Sequence, residues 1–541
     1  MTSTTPWWRG GVIYQVYPRS FMDSNGDGVG DLAGITSRLD YVAGLGVDAI
    51  WISPFFKSPM NDFGYDVADY RDVDPMFGTL DDFRELVARA HSLGLKVVID
   101  QVLSHSSDRH PWFEESRRDT SNARADWYVW ADPRDDGSPP NNWLSIFGGS
   151  AWTWDARRRQ YYLHNFLSTQ PDLNFHNPDV RRAQLDNLRF WLELGVDGFR
   201  LDVVNYFFHS TGLEDNPPVS LDDPLQLGLA RDNPYAYQRH VHDITQPENV
   251  EFLHAVRSLL DEYPDRTTVG EIAGDDPLGI LGDYTSGGDK LHMAYTFSLL
   301  TGDSSAAYLR NVISAVESRI RDGWPCWAIS NHDVVRCVTR WAPAAGHDKS
   351  RFARVVVALL CSLRGSVSLY QGDELGLPEA DVPYERIQDP YGLPFWPEFK
   401  GRDGCRTPMV WTSEAETYGG FSTVEPWLPV DPTQLSLAVD SQRDRGDSTL
   451  QAVARLLRWR RSQPALIEGD IELIDTGDDM LCWIRRTAGQ EMLVAVNLTA
   501  DALRAAAPVD ARVMTGHGFA GRIVDGCIEL DPCDALFAEL T

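Results

Sequence analysis

No cysteine stands before Cys326, and the seven present (Cys326, Cys337, Cys361, Cys405, Cys482, Cys527, Cys533) form no CxxC pair. An odd count without such pairs excludes a disulfide framework and a zinc site. Reduced thiols in a cytoplasm are the natural reading. Basic charge is also scarce: 49 Lys and Arg face 79 Asp and Glu, for a formal net charge of -30. Nucleic acid and anionic membranes both call for basic patches, so neither is an expected partner. The acidic balance otherwise aids solubility. No apolar run reaches the roughly 18 residues of a membrane span. The opening MTSTTPWWR lacks the apolar core of a secretory signal. Low-complexity stretches and internal repeats are absent.

What is present is a chain of 541 residues, too long for one ordinary domain, with 43% hydrophobic residues to fill a large core. Short apolar, β-branched runs recur at Val12–Tyr17, Ala49–Ser53, Lys96–Val102, Gly198–Val204, Thr268–Ile272, Met293–Phe297, Cys326–Ser330 and Ser366–Tyr370. Amphipathic segments lie between them. In Leu80–Leu95 the apolar Phe83, Leu86, Val87 and Ala90 fall on one helical face, and Gly94 stops the helix. Asp179–Leu194 reads in the same way. Eight strands alternating with helices predict parallel βαβ units, as an open doubly wound sheet or a closed barrel. Two features favour a (β/α)8 TIM barrel. No glycine-rich phosphate loop follows the first strand. Polar residues gather at strand ends, at Asp100, His105, Asp202, Glu271 and Asp333, where barrels build their sites.

Two regions break the alternation. Residues 105–175, rich in Trp, Tyr, Asn, Pro and Gly, read as a subdomain inserted after the third strand. After Pro464 the pattern becomes short alternating strands with turn signals, a C-terminal antiparallel β domain over 466–541. The barrel then occupies 1–104 and 176–465.

Three acids stand at three strand ends: Asp202 in GVDGFRLDVV, Glu271 in TVGEIAG and Asp333 in SNHD. Any one alone could be an ordinary loop carboxylate. Arg200 lies two residues before Asp202, on the same strand face, where a cation keeps a nucleophilic carboxylate ionised. Glycoside cleavage needs one ionised and one protonated carboxyl flanking the bond. The third acid could hold sugar hydroxyls. Eighteen Trp among the aromatic residues offer platforms for sugar faces, although most serve the core.

With these motifs in order, the chain resembles the α-amylase family of glycoside hydrolases, in its α-glucosidase and oligo-1,6-glucosidase branch. WWRGGVIYQVYPRSF, GVDAIWISPFFKSP, FGYDVADY, GVDGFRLDVV, SNHD, LYQGDELGL and GRDGCRTPMVW carry the likeness over essentially the whole chain, and QPDLNF at Gln170–Phe175 matches the signature of that branch. The resemblance implies a retaining, exo-acting α-glucosidase on short α-glucosides, with transfer to hydroxyl acceptors. It implies Asp202 as nucleophile, Glu271 as acid/base and Asp333 as the stabiliser gripping sugar hydroxyls. Arg200 would orient Asp202, His105 and His332 would contact the cleaved glucose, and Tyr65 would stack beneath it. Asp62 and Arg402 would grip its non-reducing end and close the pocket. Phe147, Phe166 and Phe297 either line that pocket or pack in the core. A sucrose- or trehalose-acting hydrolase or isomerase of the same family would use the same acids, with acceptor loops such as Gly212–Gln246 making the distinction. Related chains that serve as non-catalytic transporter subunits carry a membrane helix and have lost catalytic acids.

In DSNGDGVGD the oxygen-bearing Asp23, Asn25 and Asp27 alternate, and Asp31 follows. The spacing suits a hard cation, although a plain Asx-rich turn would look alike. The related branch places a structural Ca2+ or Mg2+ there, held also by the Val29 carbonyl. Gln101 and Ser104 in DQVLSH depart from the family pattern. Ser104 replaces an Asn that binds calcium in true α-amylases, which argues against a second metal. No organic cofactor is expected, and a monomer or homodimer is anticipated.

Overall fold

The structure, a computed structural model, describes residues 5–220, 233–342, 348–477 and 479–541. Eight parallel strands share one sheet: β1 (Val12–Val16), β2 (Ala49–Ile52), β3 (Lys96–Gln101), β4 (Gly198–Leu201), β5 (Thr267–Ile272), β6 (Met293–Thr296), β7 (Cys326–Ala328) and β8 (Ser366–Tyr370). β1 to β6 pair in sequence order, β8 pairs with β1, and β7 pairs with β8. A parallel bridge from Ala294 to Pro325 joins the two outer strands. The sheet is therefore a nearly closed barrel, and the doubly wound alternative, which reverses strand order part-way, is excluded.

Parallel strands are covered on both faces, which is why they read as continuous apolar runs. β1, β2, β4, β5 and β8 are buried throughout. Two strands end two or more residues before their apolar runs do. β4 stops at Leu201 rather than Val204, and β7 at Ala328 rather than Ser330. In β4 the cause is visible: Val203 has φ 35, a left-handed value that takes the chain out of the sheet directly after Asp202.

Helices α1 (Leu32–Leu45), α2 (Leu80–Ser92), α3 (Pro178–Glu193), α4 (Asn249–Leu260), α5 (Pro277–Thr285), α6 (Ala306–Ile320), α7 (Lys349–Ser362) and α8 (Thr449–Arg460) follow the successive strands. α2 begins in a capping box between Thr79 and Asp82 and buries Phe83, Leu86, Val87 and Ala90. It ends at Ser92, short of Leu95, because the chain turns through Gly94 at φ 78.

Between β3 and α3, strands Trp130–Ala131, Trp152–Asp155 and Gln160–Leu163 form a small antiparallel sheet. Beyond α8, strands from Asp470 to Leu540 form antiparallel sheets of five and three strands. Arg485 ties the larger sheet to the barrel: its buried Nη1 donates to the Ser362 and Leu363 carbonyls at the C-terminus of α7, at 2.7 and 2.6 Å. Among the described residues no helix is long and apolar enough to cross a membrane.

The barrel interior is layered. Ile13, Ala49, Val98, Val269, Met293 and Cys326 fill an apolar layer. Two residues further along, strand alternation points Gln15, Trp51, Asp100, Arg200, Glu271 and Tyr295 to the same interior. This second layer is polar, and it floors the site.

Candidate active site

Register builds that floor. Asp100 pairs with Arg200 across β3 and β4, and Glu271 pairs with Tyr295 across β5 and β6. The Arg200 guanidinium, 1% exposed, holds three carboxyls: Asp100 Oδ1 at 2.8 Å, Asp202 Oδ1 at 2.6 Å and Glu271 Oε2 at 2.5 Å. The backbone N–H of Val203 also donates to Glu271 Oε2, at 3.2 Å. Val203 itself takes the left-handed φ of 35 beside that contact. Such strain in a β-branched residue costs on the order of 1–3 kcal/mol. Burial pushes Asp100 up to about 6 against the pull of Arg200. Burial likewise raises Asp202, with Arg200 opposing and Glu271 and Asp100 adding to the rise.

A second hub lies at the far side of the pocket. Arg402 donates to Asp62 Oδ1 at 2.8 Å, to Asp389 Oδ1 at 2.8 Å and to Asp333 Oδ1 at 3.1 Å. Arg406 donates to Asp333 Oδ1 at 2.8 Å and to the His332 carbonyl at 2.6 Å. Burial opposes ionisation of Asp333, but the two guanidiniums hold its carboxyl below the usual range. His332 is neutral, its own burial pushing it down to about 3.

Tyr65 connects the hubs. Its hydroxyl donates to Asp100 Oδ2 at 3.0 Å and meets His332 Nε2 at 2.5 Å, and the two rings stack 6° from parallel. Gln15 Nε2 donates to His332 Nδ1 at 2.7 Å, which leaves the Nε2 proton for Tyr65. His105 Nε2 donates to the Tyr65 carbonyl at 3.1 Å, and Ser104 Oγ lies 2.9 Å from its Nδ1. Met60, Phe63 and Gly64 all take positive φ in the loop that carries Asp62 and Tyr65. Asp66 braces this loop by accepting from Ser58 Oγ and the Asn61 and Asp62 N–H groups.

Around this floor lies a pocket of about 840 Å3, its mouth included. Asp62, Tyr65, His105, Phe147, Phe166, Asp202, Val203, Glu271, Phe297, Asp333 and Arg402 line it. Asp62, Asp202, Glu271 and Asp333 thus reach one cavity, while Asp100, Arg200 and His332, all buried, stand just behind its wall. Sequence reasoning assigned no role to Tyr295, Asp389 or Arg406. Tyr295 carries little signal, because an aromatic residue on a strand reads as core. Asp389 sits in an aperiodic loop and carries none. Of the acceptor segment Gly212–Gln246, residues 221–232 lie outside the described residues. Its remaining part lends Tyr235 to the pocket and Asn233, whose Nδ2 donates to Tyr391 Oη at 3.0 Å.

The α-amylase catalytic-domain family model matches residues 15–469. The chain belongs to this family. Within it, the chain is 53% identical over 538 residues to the "Probable alpha-glucosidase" of Rhizobium meliloti (strain 1021), covering 99% of this chain and 97% of the relative. It is 36% identical to an oligo-1,6-glucosidase of Heyndrickxia coagulans, with 94% of each covered. The crystal structure of an alpha-glucosyl transfer enzyme, XgtA, superposes with TM-score 0.97 at 57% identity, over 99% of this chain and 100% of that one. The family's members cleave glycosidic bonds by a retaining route, and the two carboxyls on one guanidinium suit it.

The loop at 23–31 is laced by hydrogen bonds from its own side chains. Asp23, 5% exposed, accepts from the Asn25, Gly26 and Gly28 N–H groups and from Ser422 Oγ. Asn25 and Asp27 each accept from the N–H two residues on, and Asp31 caps α1 through Gly34 N–H at 2.6 Å. Gly28, at φ 90, could carry no side chain: a Cβ would meet the Glu425 carbonyl oxygen at 2.5 Å. The donors are all oxygen, the kind a hard cation takes; four hydrogen bonds occupy Asp23, and the free lone pairs are on Asn25, Asp27 and Asp31. Among the described residues no three His, Cys, Asp or Glu side chains converge as a cluster, so carbonyls and water would complete the shell.

Burial pushes the Asp62 carboxyl up to about 6, with Arg402 and Arg406 opposing. Its ordinary value is 3.8, so between these values the folded protein holds a proton that the unfolded chain has released. Stability falls as pH rises through that window. In Asp62→Asn this dependence is absent. By urea unfolding, the variant's stability relative to the parent should rise by roughly 2–3 kcal/mol between about pH 4 and pH 7. A difference that stays constant with pH would show Asp62 ionised throughout.

Proposed function

We propose that this protein is an exo-acting, retaining α-glucosidase that releases terminal glucose from short α-glucosides such as maltose and isomaltose and transfers α-glucosyl groups to hydroxyl acceptors. One observation carries the reading: a pocket blocked at one end by the Asp62–Arg402 pair and floored by Asp202, Glu271 and Asp333. A wall of that kind admits one terminal sugar. The names of the relatives point the same way.

In this reading an Asp202 carboxylate oxygen attacks the anomeric carbon while Glu271 protonates the departing oxygen. Water or an acceptor hydroxyl then attacks the glucosyl ester and gives its proton to Glu271, freeing Asp202. Asp333 grips the sugar hydroxyls with Arg402, and Tyr65 stacks beneath the ring. His105 reaches the same glucose, and His332 supports it through Tyr65. Phe147, Phe166, Phe297, Tyr206 and Tyr391 give the leaving group and the acceptor an apolar channel. All seven cysteines are unpaired and six are buried, which supports a cytoplasmic location. We infer a monomer or homodimer acting without an organic cofactor.

Proton NMR of early product should show α-glucose before mutarotation. Asp202→Asn should abolish turnover. Glu271→Gln should lower kcat/KM on maltose by about 10²–10⁴-fold, the usual worth of acid–base catalysis, while sparing glucosyl-enzyme formation from p-nitrophenyl α-glucoside. β-Glucose as first product, or two variants that behave alike, would refute the roles.

We also propose that loop 23–31 holds a Ca2+ or Mg2+ ion through the side chains of Asp23, Asn25, Asp27 and Asp31 and the Val29 carbonyl. The ion would stiffen the first βα loop and take no part in bond cleavage. Chelation should lower Tm, because the ion binds only the folded loop, and activity should persist at a permissive temperature. Loss of turnover at unchanged Tm would count against a structural ion.

Val203 follows the nucleophile and faces the pocket. Thr keeps the β-branched shape, so Val203→Thr exchanges a methyl for a hydroxyl without altering the strained turn. A change of this size is worth about 1–3 kcal/mol in discrimination. We expect the parent to cleave maltose and isomaltose alike, and the variant to raise the maltose/isomaltose ratio of kcat/KM. An unchanged ratio would move linkage choice away from this position.

A further inference from the structure

Glu271 and Tyr295 face one another in register across β5 and β6, both on the barrel's interior face. Tyr295 is 2% exposed. Its hydroxyl lies 3.2 Å from Arg200 Nε, 2.9 Å from Arg200 Nη2 and 3.0 Å from Glu271 Oε1. A guanidinium has donors only, so toward Arg200 the phenol oxygen must accept. Its single proton is left for Glu271. The direction of this hydrogen bond is therefore fixed by the fold.

The two oxygens of Glu271 differ. Oε2 is ion-paired with Arg200 Nη2, at 2.5 Å, and accepts from the Val203 N–H, at 3.2 Å. An ion-paired guanidinium and one N–H donor surround it, and neither can accept a proton. The proton that Glu271 gives to a leaving oxygen therefore resides on Oε1, the oxygen that Tyr295 contacts. A donor aimed at a carboxyl oxygen favours its ionised form over its neutral one.

We propose that Tyr295 is a positioning residue for the acid/base: its hydroxyl, oriented by Arg200, fixes Glu271 Oε1 and sets the pH at which that oxygen gives up and regains its proton. The proposal rests on Glu271 being the acid/base. In the first half-reaction the Oε1 proton passes to the leaving oxygen as its bond to the anomeric carbon breaks and the Asp202 ester forms. In the second, the proton of water or of an acceptor hydroxyl returns to Oε1 as the ester breaks. The Tyr295 proton stays on Tyr295 throughout, and its hydrogen bond strengthens while Glu271 is ionised.

The test is the pH profile of kcat/KM on maltose for the parent, Tyr295→Phe and Glu271→Gln. Phe keeps the ring and removes only the oxygen, and thermal melting checks that the fold is intact. Tyr295→Phe should move the basic limb to higher pH by about one unit, the size of one hydrogen bond to an ionised group, with little change in KM. A fluorinated tyrosine at 295, a stronger donor, should move the limb the other way. A structural role would lower kcat evenly and leave the limb in place. In Glu271→Gln the basic limb should vanish, which assigns it to Glu271. A limb lost in Glu271→Gln but unmoved in both Tyr295 variants overturns the proposal alone. A limb retained in Glu271→Gln overturns the acid/base reading, and this proposal with it.

Discussion

One buried guanidinium organises the floor of the pocket. Arg200 bonds to Asp100, Asp202 and Glu271, which come from three neighbouring strands and their ends. Three unpaired carboxyls in a barrel interior would each carry a desolvation cost of several kcal/mol. Around one planar cation they become mutual neighbours, and the strand register that brings Asp100 opposite Arg200 fixes where each points. Lysine could not replace it, since a point charge has no fork to hold oxygens at set angles. The apolar layer beneath, from Ile13 to Cys326, excludes water and keeps these interactions strong.

A second constraint decides the shape of the pocket. Asp62 and Tyr65 sit on a loop that passes through three left-handed residues, a conformation that no local preference would choose for Met60 or Phe63. Tertiary contacts impose it. Arg402 pulls on Asp62, Asp66 braces the turn from within, and Arg19 stacks its guanidinium 5.0 Å from the Phe63 ring. The same Arg402 also binds Asp333 and Asp389, so the wall of the pocket and the third acid form one unit. Wall and chemistry are therefore not independent features of this fold.

The eight barrel strands were legible because burial on both faces writes an uninterrupted apolar run, and α2 was legible from the spacing of Phe83, Leu86, Val87 and Ala90. Their ends were less so. The run Gly198–Val204 continues apolar past Leu201, while the backbone has already left the sheet and turns left-handed at Val203. Hydrophobic period reports burial and is silent on φ. The acids were legible because a carboxyl at the end of an apolar run is conspicuous. Tyr295 was not, since an aromatic residue on a strand reads as core, and its hydroxyl matters only once Arg200 and Glu271 are placed. Asp389 and Arg406 lie in loops without periodicity, where only the folded chain brings charge to charge.

The raised carboxyls follow from the same arrangement. Asp100, Asp202, Glu271, Asp62, Asp333 and Asp389 surround only Arg200, Arg402 and Arg406. Buried acid thus outnumbers buried base, and burial raises Asp62, Asp100 and Asp202 above the usual carboxylate range, with the neighbouring acids adding to the rise. An interior built for stability alone would balance these charges or replace them with apolar groups. The imbalance makes sense if positive charge develops inside the pocket. Glycosidic cleavage passes through an oxocarbenium-like state, and a cavity whose acids outnumber its bases stabilises such a cation with charges already in place. The strain at Val203 and the crowding of carboxyls are thus two costs of one arrangement, which favours the transition state over the resting protein.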